Sequence, residues 1–200
     1  MTLAVSTPMA EEAFDRFVEL PENRDRLFEF IGGEILEVPS NPTSSNLGST
    51  ILGEIYVYLK QNDIGYVTGE AGGYRVSGER YAPDVAFIRY EKGPLATSGY
   101  HPLPPDLAVE VDFPSTDASL KRLMAKVVNY LAAGTTVWLF LPEDRQVMVF
   151  SPGKPVQILS VEDVLDGGDV LPGFSLPLKQ IFKPLPEPAA DKEDEDKHQA

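Results

Sequence analysis

The chain has 200 residues, 42% of them hydrophobic and 24% charged, which suits one globular domain with a substantial core. It holds no cysteine and only two histidines, so disulfides, a cysteine nucleophile and a histidine-built zinc site are excluded. The formal net charge of −14 argues against binding nucleic acid through a broad basic surface. Because we find neither a secretory signal nor an apolar run of about 20 residues, we expect a soluble, cytoplasmic protein without a membrane segment.

The N-terminal part of the chain predicts one helix and one hairpin. Residues 1–10 are expected to be flexible. Phe14, Phe17 and Val18 recur at helical spacing and predict a helix over residues 11–19. Residues 27–38 alternate around a glycine pair and predict a β-hairpin, although the two glycines alone leave its register open.

A longer helix and two strands follow. Ser44 or Ser45 is expected to cap this helix, whose apolar residues recur mostly every four positions up to about Lys60. Strands are predicted over residues 65–76 and 81–90, separated by a turn. The proline- and glycine-rich segment that comes next predicts a loop, in which His101 is expected to have no special role.

The second half of the chain predicts strands around a further helix. The predicted elements are a strand over residues 106–113, a helix over 117–133 ended by Gly134, a hairpin of 136–141 with 146–151, and a closing segment over 161–182. Residues 183–200 are expected to form a disordered acidic tail. The pattern predicts one domain over residues 11–182, of α/β or α+β class, with a mixed sheet flanked by helices.

Two acids stand in or next to apolar strands of this pattern. Asp84 precedes Val85 to Ile88, and Glu110 lies within the strand over residues 106–113. A carboxylate among apolar neighbours costs folding free energy unless something compensates it. If the two strands pair with both acids on one face, the carboxylates can reach one divalent ion, and Mg²⁺ suits such oxygen ligands. The alternatives are a turn residue for Asp84 and a solvated edge strand for Glu110.

A lysine on the following helix is the third candidate. Lys126 and Tyr130 are four residues apart and lie on one flank of that helix. At about 100° per residue, Lys126 lies roughly 130° from the centre of the apolar stripe, so we do not expect it in the core. Its long side chain could still reach a strand end, where it would orient a water or neutralise a phosphate. The alternative is an ordinary solvated lysine, with Tyr130 and Trp138 serving only in packing.

A series of short segments carries a family resemblance. They are Phe28–Ile35, Ala82–Ile88, Pro105–Val111, Pro114-Ser115, Lys126 with Tyr130-Leu131 and Gly134, Trp138-Leu139 and Leu171–Phe174. In this order they resemble the restriction endonuclease-like proteins of the Uma-two type, a branch of the PD-(D/E)XK nuclease superfamily. The resemblance implies a restriction endonuclease-like core with an N-terminal helix and hairpin. It also implies a metal-dependent endonuclease that acts on nucleic acid, with DNA as the expected substrate.

The resemblance also implies roles for individual residues. Asp84 takes the place of the first superfamily acid and Glu110 that of the second, and both would bind Mg²⁺, for which Mn²⁺ can substitute. Lys126 matches the lysine that this branch is thought to supply from the helix. Glu34 matches an auxiliary acid, and Tyr130 is a further auxiliary candidate. By the same resemblance we expect a homodimer.

The sequence departs from the family pattern at one position close to these acids. Asp112 stands where the superfamily usually has its lysine, two residues after the second acid. It could be a further metal ligand, or it could repel Glu110 and raise a carboxylate pKa. The acidic balance of the chain favours the alternative hypothesis, a catalytically inactive nuclease-like domain that acts as a binding or regulatory module.

Overall fold

The computed structural model describes residues 11–24, 26–38 and 41–182. The predicted flexible N-terminus, residues 1–10, and the predicted acidic tail, residues 183–200, therefore lie outside the described residues. None of the helices in the described part is both long enough and apolar enough to cross a membrane. The helices are α1 (Glu11–Val18), α2 (Pro42–Leu59) and α3 (Asp117–Ala132). The strands are β1 (Phe28–Ile31), β2 (Glu34–Glu37), β3 (Gly65–Gly69), β4 (Tyr74–Val76), β5 (Glu79–Tyr81), β6 (Val85–Arg89), β7 (Leu107–Val111), β8 (Thr136–Leu141), β9 (Gln146–Phe150), β10 (Gln157–Ser160), β11 (Val164–Asp166) and β12 (Ser175–Pro177).

A six-stranded mixed sheet forms the centre of the fold. Its strand order is β10-β9-β8-β7-β6-β3, and only β7 and β8 are parallel. Parallel neighbours need a crossover, and α3 lies between these two strands in the chain. The predicted fold class, a mixed sheet flanked by helices, is confirmed.

Helices cover both faces of this sheet because side chains alternate along each strand. On one face, Phe87 and Val109 share a hydrophobic cluster with Ile51 of α2. On the other face, Ala86 and Ala108 share a cluster with residues of α3. Trp138 is fully buried and stacks on Phe174 with ring centroids 5.5 Å apart, so its predicted packing role is confirmed.

A second sheet, with the order β2-β1-β5-β4, contains the predicted hairpin. Gly32 and Gly33 have φ values of 60° and 84°, which are the left-handed conformations that a two-residue hairpin turn requires. They fix the register that the sequence left open, with Ile31 opposite Glu34. Ile31 and Tyr81 of this sheet share the α3 cluster, so α3 contacts both sheets.

Several local predictions were wrong. Asn41, not Ser44 or Ser45, caps α2, since its Oδ1 accepts the N–H groups of Thr43 and Ser44 at 3.0 Å each. The strand predicted over residues 65–76 is two strands, β3 and β4, which lie in different sheets. The strand predicted over residues 81–90 is likewise divided between β5 and β6, because the chain changes sheets at connections that contain glycine or proline. β10 was not predicted at all. His101 is buried and bridges to Tyr74, which fastens the predicted loop.

Helix α1 is held against the second sheet by a buried guanidinium. Arg80 of β5 is 1% exposed, and it donates from Nε and an Nη to the two oxygens of Asp15 at 3.0 Å each. Glu11 accepts two longer hydrogen bonds of 3.4 Å from the same guanidinium. A buried charge without a partner is costly, so this pair fixes where α1 docks.

Asp15→Ala should therefore lower the free energy of unfolding by about 3 kcal/mol, because it leaves the buried Arg80 guanidinium with only the long contacts to Glu11 and two backbone carbonyls as partners. Urea denaturation measures this. Glu12→Ala, at an exposed position of the same helix, should change it by no more than about 0.5 kcal/mol. Equal effects of the two substitutions would show that the ion pair does not anchor α1.

Candidate active site

The second predicted acid is buried inside the central sheet. Glu110 lies on β7, whose five residues are all buried, and it is 6% exposed. Its neighbours Val109 and Val111 pack toward α2, so the alternation of the strand directs Glu110 toward α3. Glu110 is therefore not a residue of a solvated edge strand.

The ammonium of Lys126 compensates this carboxylate. Nζ of Lys126 donates to Oε2 of Glu110 at 2.8 Å and to Oε1 of Glu29 at 2.8 Å. Glu29, on β1, is itself 8% exposed, and its Oε1 also accepts the N–H of Ala82 at 2.9 Å. We call Glu29, Glu110 and Lys126 the buried charge cluster; it joins the second sheet, the central sheet and α3.

The expectation that Lys126 lies outside the core was wrong. The buried face of α3 consists of Leu123, Lys126, Val127 and Tyr130, whereas Leu120 and Val128 are exposed. Counting those two exposed residues as part of the apolar stripe displaced its apparent centre. The two carboxylates make burial of Lys126 tolerable, which apolar periodicity cannot reveal.

Two tyrosines support the buried charge cluster. Tyr130 lies one turn after Lys126, and its hydroxyl donates to Oε1 of Glu110 at 3.0 Å. The ring of Tyr81 lies under the ammonium, with Nζ 5.5 Å from the ring centroid. Both oxygens of Glu110 are therefore held in place by donors from α3.

The first predicted acid, Asp84, lies directly before β6. The β6–β7 register pairs Val85 with Val109, and one further step places Asp84 opposite Glu110. Oδ2 of Asp84 accepts the N–H of Val111 at 2.7 Å, which leaves Oδ1 without a hydrogen bond among the described residues. The sequence prediction that strand pairing would bring these two acids to one place agrees with this register.

These side chains meet in one cavity of about 750 Å³. Its lining includes acids, three cations and the N-terminal turn of α2: Arg24, Arg26, Leu27, Glu29, Val38, Asn41, Ser44, Glu70, Ala71, Ala82, Asp84, Glu110, Val111, Asp112, Phe113 and Lys126. A cavity of this size can admit part of a polymer.

The auxiliary candidates differ in position. Asp112 lines the cavity, with its Oδ1 accepting the N–H of Phe113 at 2.6 Å. Glu34 is exposed beside the hairpin turn and does not line it. The acid of this hairpin that reaches the site is Glu29, which sequence reasoning missed. Its signal was an acid between Phe28 and Phe30 on a strand, the same anomaly that singled out Glu110.

Burial raises the pKa values of two carboxyl groups in the site, Asp84 and Glu110. It raises the pKa of Asp84 to about 6, although the N–H of Val111 and the charge of Lys126 oppose the shift. It also raises the pKa of Glu110 against the opposing effect of Lys126. For Lys126, burial would lower the pKa, but Glu110 and Glu29 outweigh it and raise the value. Lys126 is therefore an ammonium at neutral pH, while the acids would gain from a further cation.

Asp84 and Glu110 are the candidate ligands for Mg²⁺, the metal expected from the sequence. Within the described residues there is no group of three or more His, Asp or Glu side chains placed to hold a metal ion. Mg²⁺ needs only one or two carboxylates, since it keeps several waters and takes substrate oxygens. Asp84 and Glu110 fit that requirement, and their oxygens suit Mg²⁺ or Mn²⁺ better than softer metals.

Comparisons with known proteins identify a family and a fold for this chain. The family model described as Uma2, putative restriction endonuclease, matches residues 14–179. Among solved structures, the chain resembles the crystal structure of a putative nuclease belonging to DUF820 from Anabaena variabilis ATCC 29413. The two share 20% sequence identity with a TM-score of 0.73, over 88% of this chain and 98% of the other. This likeness confirms the fold. A comparison with curated proteins gave no match.

Asp84→Asn should stabilise the protein in the absence of metal. A folded-state pKa of about 6 against an ordinary 3.8 means that the native state binds more protons between these values, so Asp84 lowers stability as pH rises from 4 to 7. The variant should therefore gain about 1–3 kcal/mol over wild type at pH 7.5 and nothing near pH 3.5. Urea denaturation with EDTA across this range measures it. The exposed substitution Asp144→Asn should leave the pH profile unchanged, and a parallel gain there would refute the assignment to Asp84.

Lys126→Met should destabilise the protein by about 3–5 kcal/mol, because it strands two buried carboxylates. Adding Glu110→Gln to that variant should restore part of the loss. A double-mutant cycle by urea denaturation should give a coupling free energy of at least about 1 kcal/mol between positions 110 and 126. Additive effects would mean that the ammonium does not compensate Glu110.

Proposed function

We propose a function from one premise: the chain belongs to the Uma2 putative restriction endonuclease family. The proposed activity is metal-dependent hydrolysis of phosphodiester bonds within nucleic acid, with DNA as substrate and Mg²⁺ as cofactor. The observation that carries the proposal is the opposition of Asp84 and Glu110 on one cavity, beside an ammonium held by Glu110 itself. Placing two buried acids together costs folding free energy, and no contact among the described residues requires Asp84 to be ionised. Such a costly acid in a cavity is typical of a functional site.

Each residue of the site has a defined part in this proposal. Asp84, through its free Oδ1, and Glu110 would hold Mg²⁺, which when bound polarises a phosphoryl oxygen and lowers the pKa of a water. The N–H of Val111 and the hydroxyl of Tyr130 fix the orientation of these carboxylates. Tyr130 is thus a positioning residue, because it acts through Glu110.

Lys126 acts as a charged donor in this proposal and not as a base. Its raised pKa keeps the ammonium protonated at neutral pH. An ammonium has three N–H groups, of which Glu29 and Glu110 accept two. The third is available to orient the attacking water or to donate to the scissile phosphate, whose charge grows in the transition state.

The proposed acting unit is a homodimer, because cutting both strands of a duplex requires two sites. The acids lining the cavity do not conflict with a nucleic-acid substrate, since divalent ions would offset them where the phosphate binds. Mn²⁺ should support the reaction as well, because it accepts the same oxygen donors.

Asp84→Asn should abolish Mg²⁺-dependent cleavage of DNA while leaving the protein folded. Loss of several kcal/mol of transition-state stabilisation corresponds to a fall of roughly 10³-fold in rate. Gel assays with plasmid and oligonucleotide substrates measure it, with Asp144→Asn as the matched control of full activity.

Failure of the folded wild-type protein to cut DNA or RNA with Mg²⁺ or Mn²⁺ would contradict the proposal. Calorimetric titration with Mn²⁺ then separates the alternatives. Binding by wild type that Asp84→Asn removes would retain the metal site, whereas no binding at all would favour a binding or regulatory module.

A further inference from the structure

The cavity lacks an evident partner for the charged backbone of a substrate. Five acids line it, namely Glu29, Glu70, Asp84, Glu110 and Asp112, against three cations, Arg24, Arg26 and Lys126. Each nucleotide of a nucleic acid brings one negative charge, and affinity depends on cations that meet it. Divalent ions can serve the scissile phosphate, but neighbouring phosphates need donors from the protein.

Two groups that could bind a neighbouring phosphate are already engaged. Lys126 is buried and held by two carboxylates, and its remaining N–H is assigned to the attacking water or the scissile phosphate. The N-terminal turn of α2 also lines the cavity, but the N–H groups of Thr43 and Ser44 donate to Oδ1 of Asn41, and the first helical residue is Pro42. Only the two arginines on the segment leading into β1 are left for the mouth of the cavity.

Arg26 is pre-oriented for an anion. It donates to the two carboxylate oxygens of Glu37 at 2.9 and 2.6 Å, and its guanidinium carbon lies 4.8 Å from the ring centroid of Phe28. Both charged side chains of this pair are about half exposed, at 46% and 53%. Exposed ion pairs contribute little, so a phosphate can displace Glu37 or share the guanidinium with it.

Arg24 is the second arginine of the cavity lining. It is exposed, lines the cavity, and has no side-chain hydrogen bond or ion pair with any residue in the described ranges 11–24, 26–38 and 41–182. A guanidinium offers a planar set of donors that matches two phosphate oxygens at once. Arg24 and Arg26 are the two exposed cations in the lining of this cavity.

We propose that Arg24 and Arg26 bind a phosphate of the substrate next to the scissile one, so that the protein grips nucleic acid over only about two phosphates. This inference rests on the proposed nuclease function and adds the residues that hold the substrate. It accounts for an acidic protein acting on a polyanion: the cations are few, but they stand at the mouth of the site. In this proposal the protein contacts the nucleic-acid backbone through these two side chains, not through an extended basic surface.

The test measures binding and turnover separately. Fluorescence anisotropy with a labelled DNA oligonucleotide, in the Asp84→Asn background so that nothing is cut, should give a salt dependence of log K with a slope of about −1.5 to −2. Arg24→Gln should weaken binding about tenfold and reduce the slope by about 0.7 to 0.9. In the otherwise wild-type protein, Arg24→Gln should raise KM about tenfold with kcat within about twofold.

Arg16→Gln is the matched control, since Arg16 is exposed on α1 and does not line the cavity. It should bind and turn over like wild type, and thermal melting should show all variants folded. Arg26→Gln should weaken binding in the same direction as Arg24→Gln. Arg24→Lys should bind more tightly than Arg24→Gln but less tightly than wild type, because lysine keeps the charge and lacks the planar donor geometry of the guanidinium.

The possible outcomes separate this inference from the proposed nuclease function. Cleavage by wild type with unchanged KM and salt slope in Arg24→Gln and Arg26→Gln would overturn the inference and leave the nuclease standing. Binding that depends on the two arginines, without cleavage, would support their contact with a backbone phosphate and overturn the nuclease. An equal loss in Arg16→Gln would reduce the effect to net charge and overturn the inference, and absence of any DNA binding by wild type would overturn both.

Discussion

Burial of the Lys126 ammonium is the constraint on which the rest of the site depends. Removing a charge from water costs several kcal/mol, and the structure offsets that cost only where Glu110 and Glu29 both reach Nζ at 2.8 Å. These three residues come from α3, β7 and β1. The second sheet must therefore dock beside the central sheet in one position, because any shift would leave a carboxylate or the ammonium unpaired.

The same constraint creates the special position of Asp84. Lys126 is already shared by two acids, so the acid that faces Glu110 across the strand pair has no cation of its own among the described residues. Its only hydrogen bond among the described residues comes from a backbone N–H, and burial raises its pKa. One additional positive charge beside Asp84 would therefore stabilise the site. The buried Asp84 lowers the stability of the fold at the position where the proposed function requires a carboxylate.

Periodicity and composition predicted most strands of the central sheet, the helices that cover it and the hairpin, because these depend on local patterns of two and 3.6 residues. They also singled out Glu110, Asp84 and Lys126 as candidates, and family resemblance gave each of them a role. The burial of Lys126 and the part played by Glu29 could not be predicted from those patterns, since each depends on a partner far along the chain. Arg80 and Asp15 are a second example: nothing in a three-residue strand indicates that its arginine will be covered by a helix at the N-terminus.

The distances along the chain within the buried charge cluster also determine when the site can form. Glu29 and Lys126 are 97 residues apart, so the ammonium is balanced only after most of the polypeptide has been synthesised and has closed into its final topology. A nascent chain that stops short of α3 would hold uncompensated acids and no complete site.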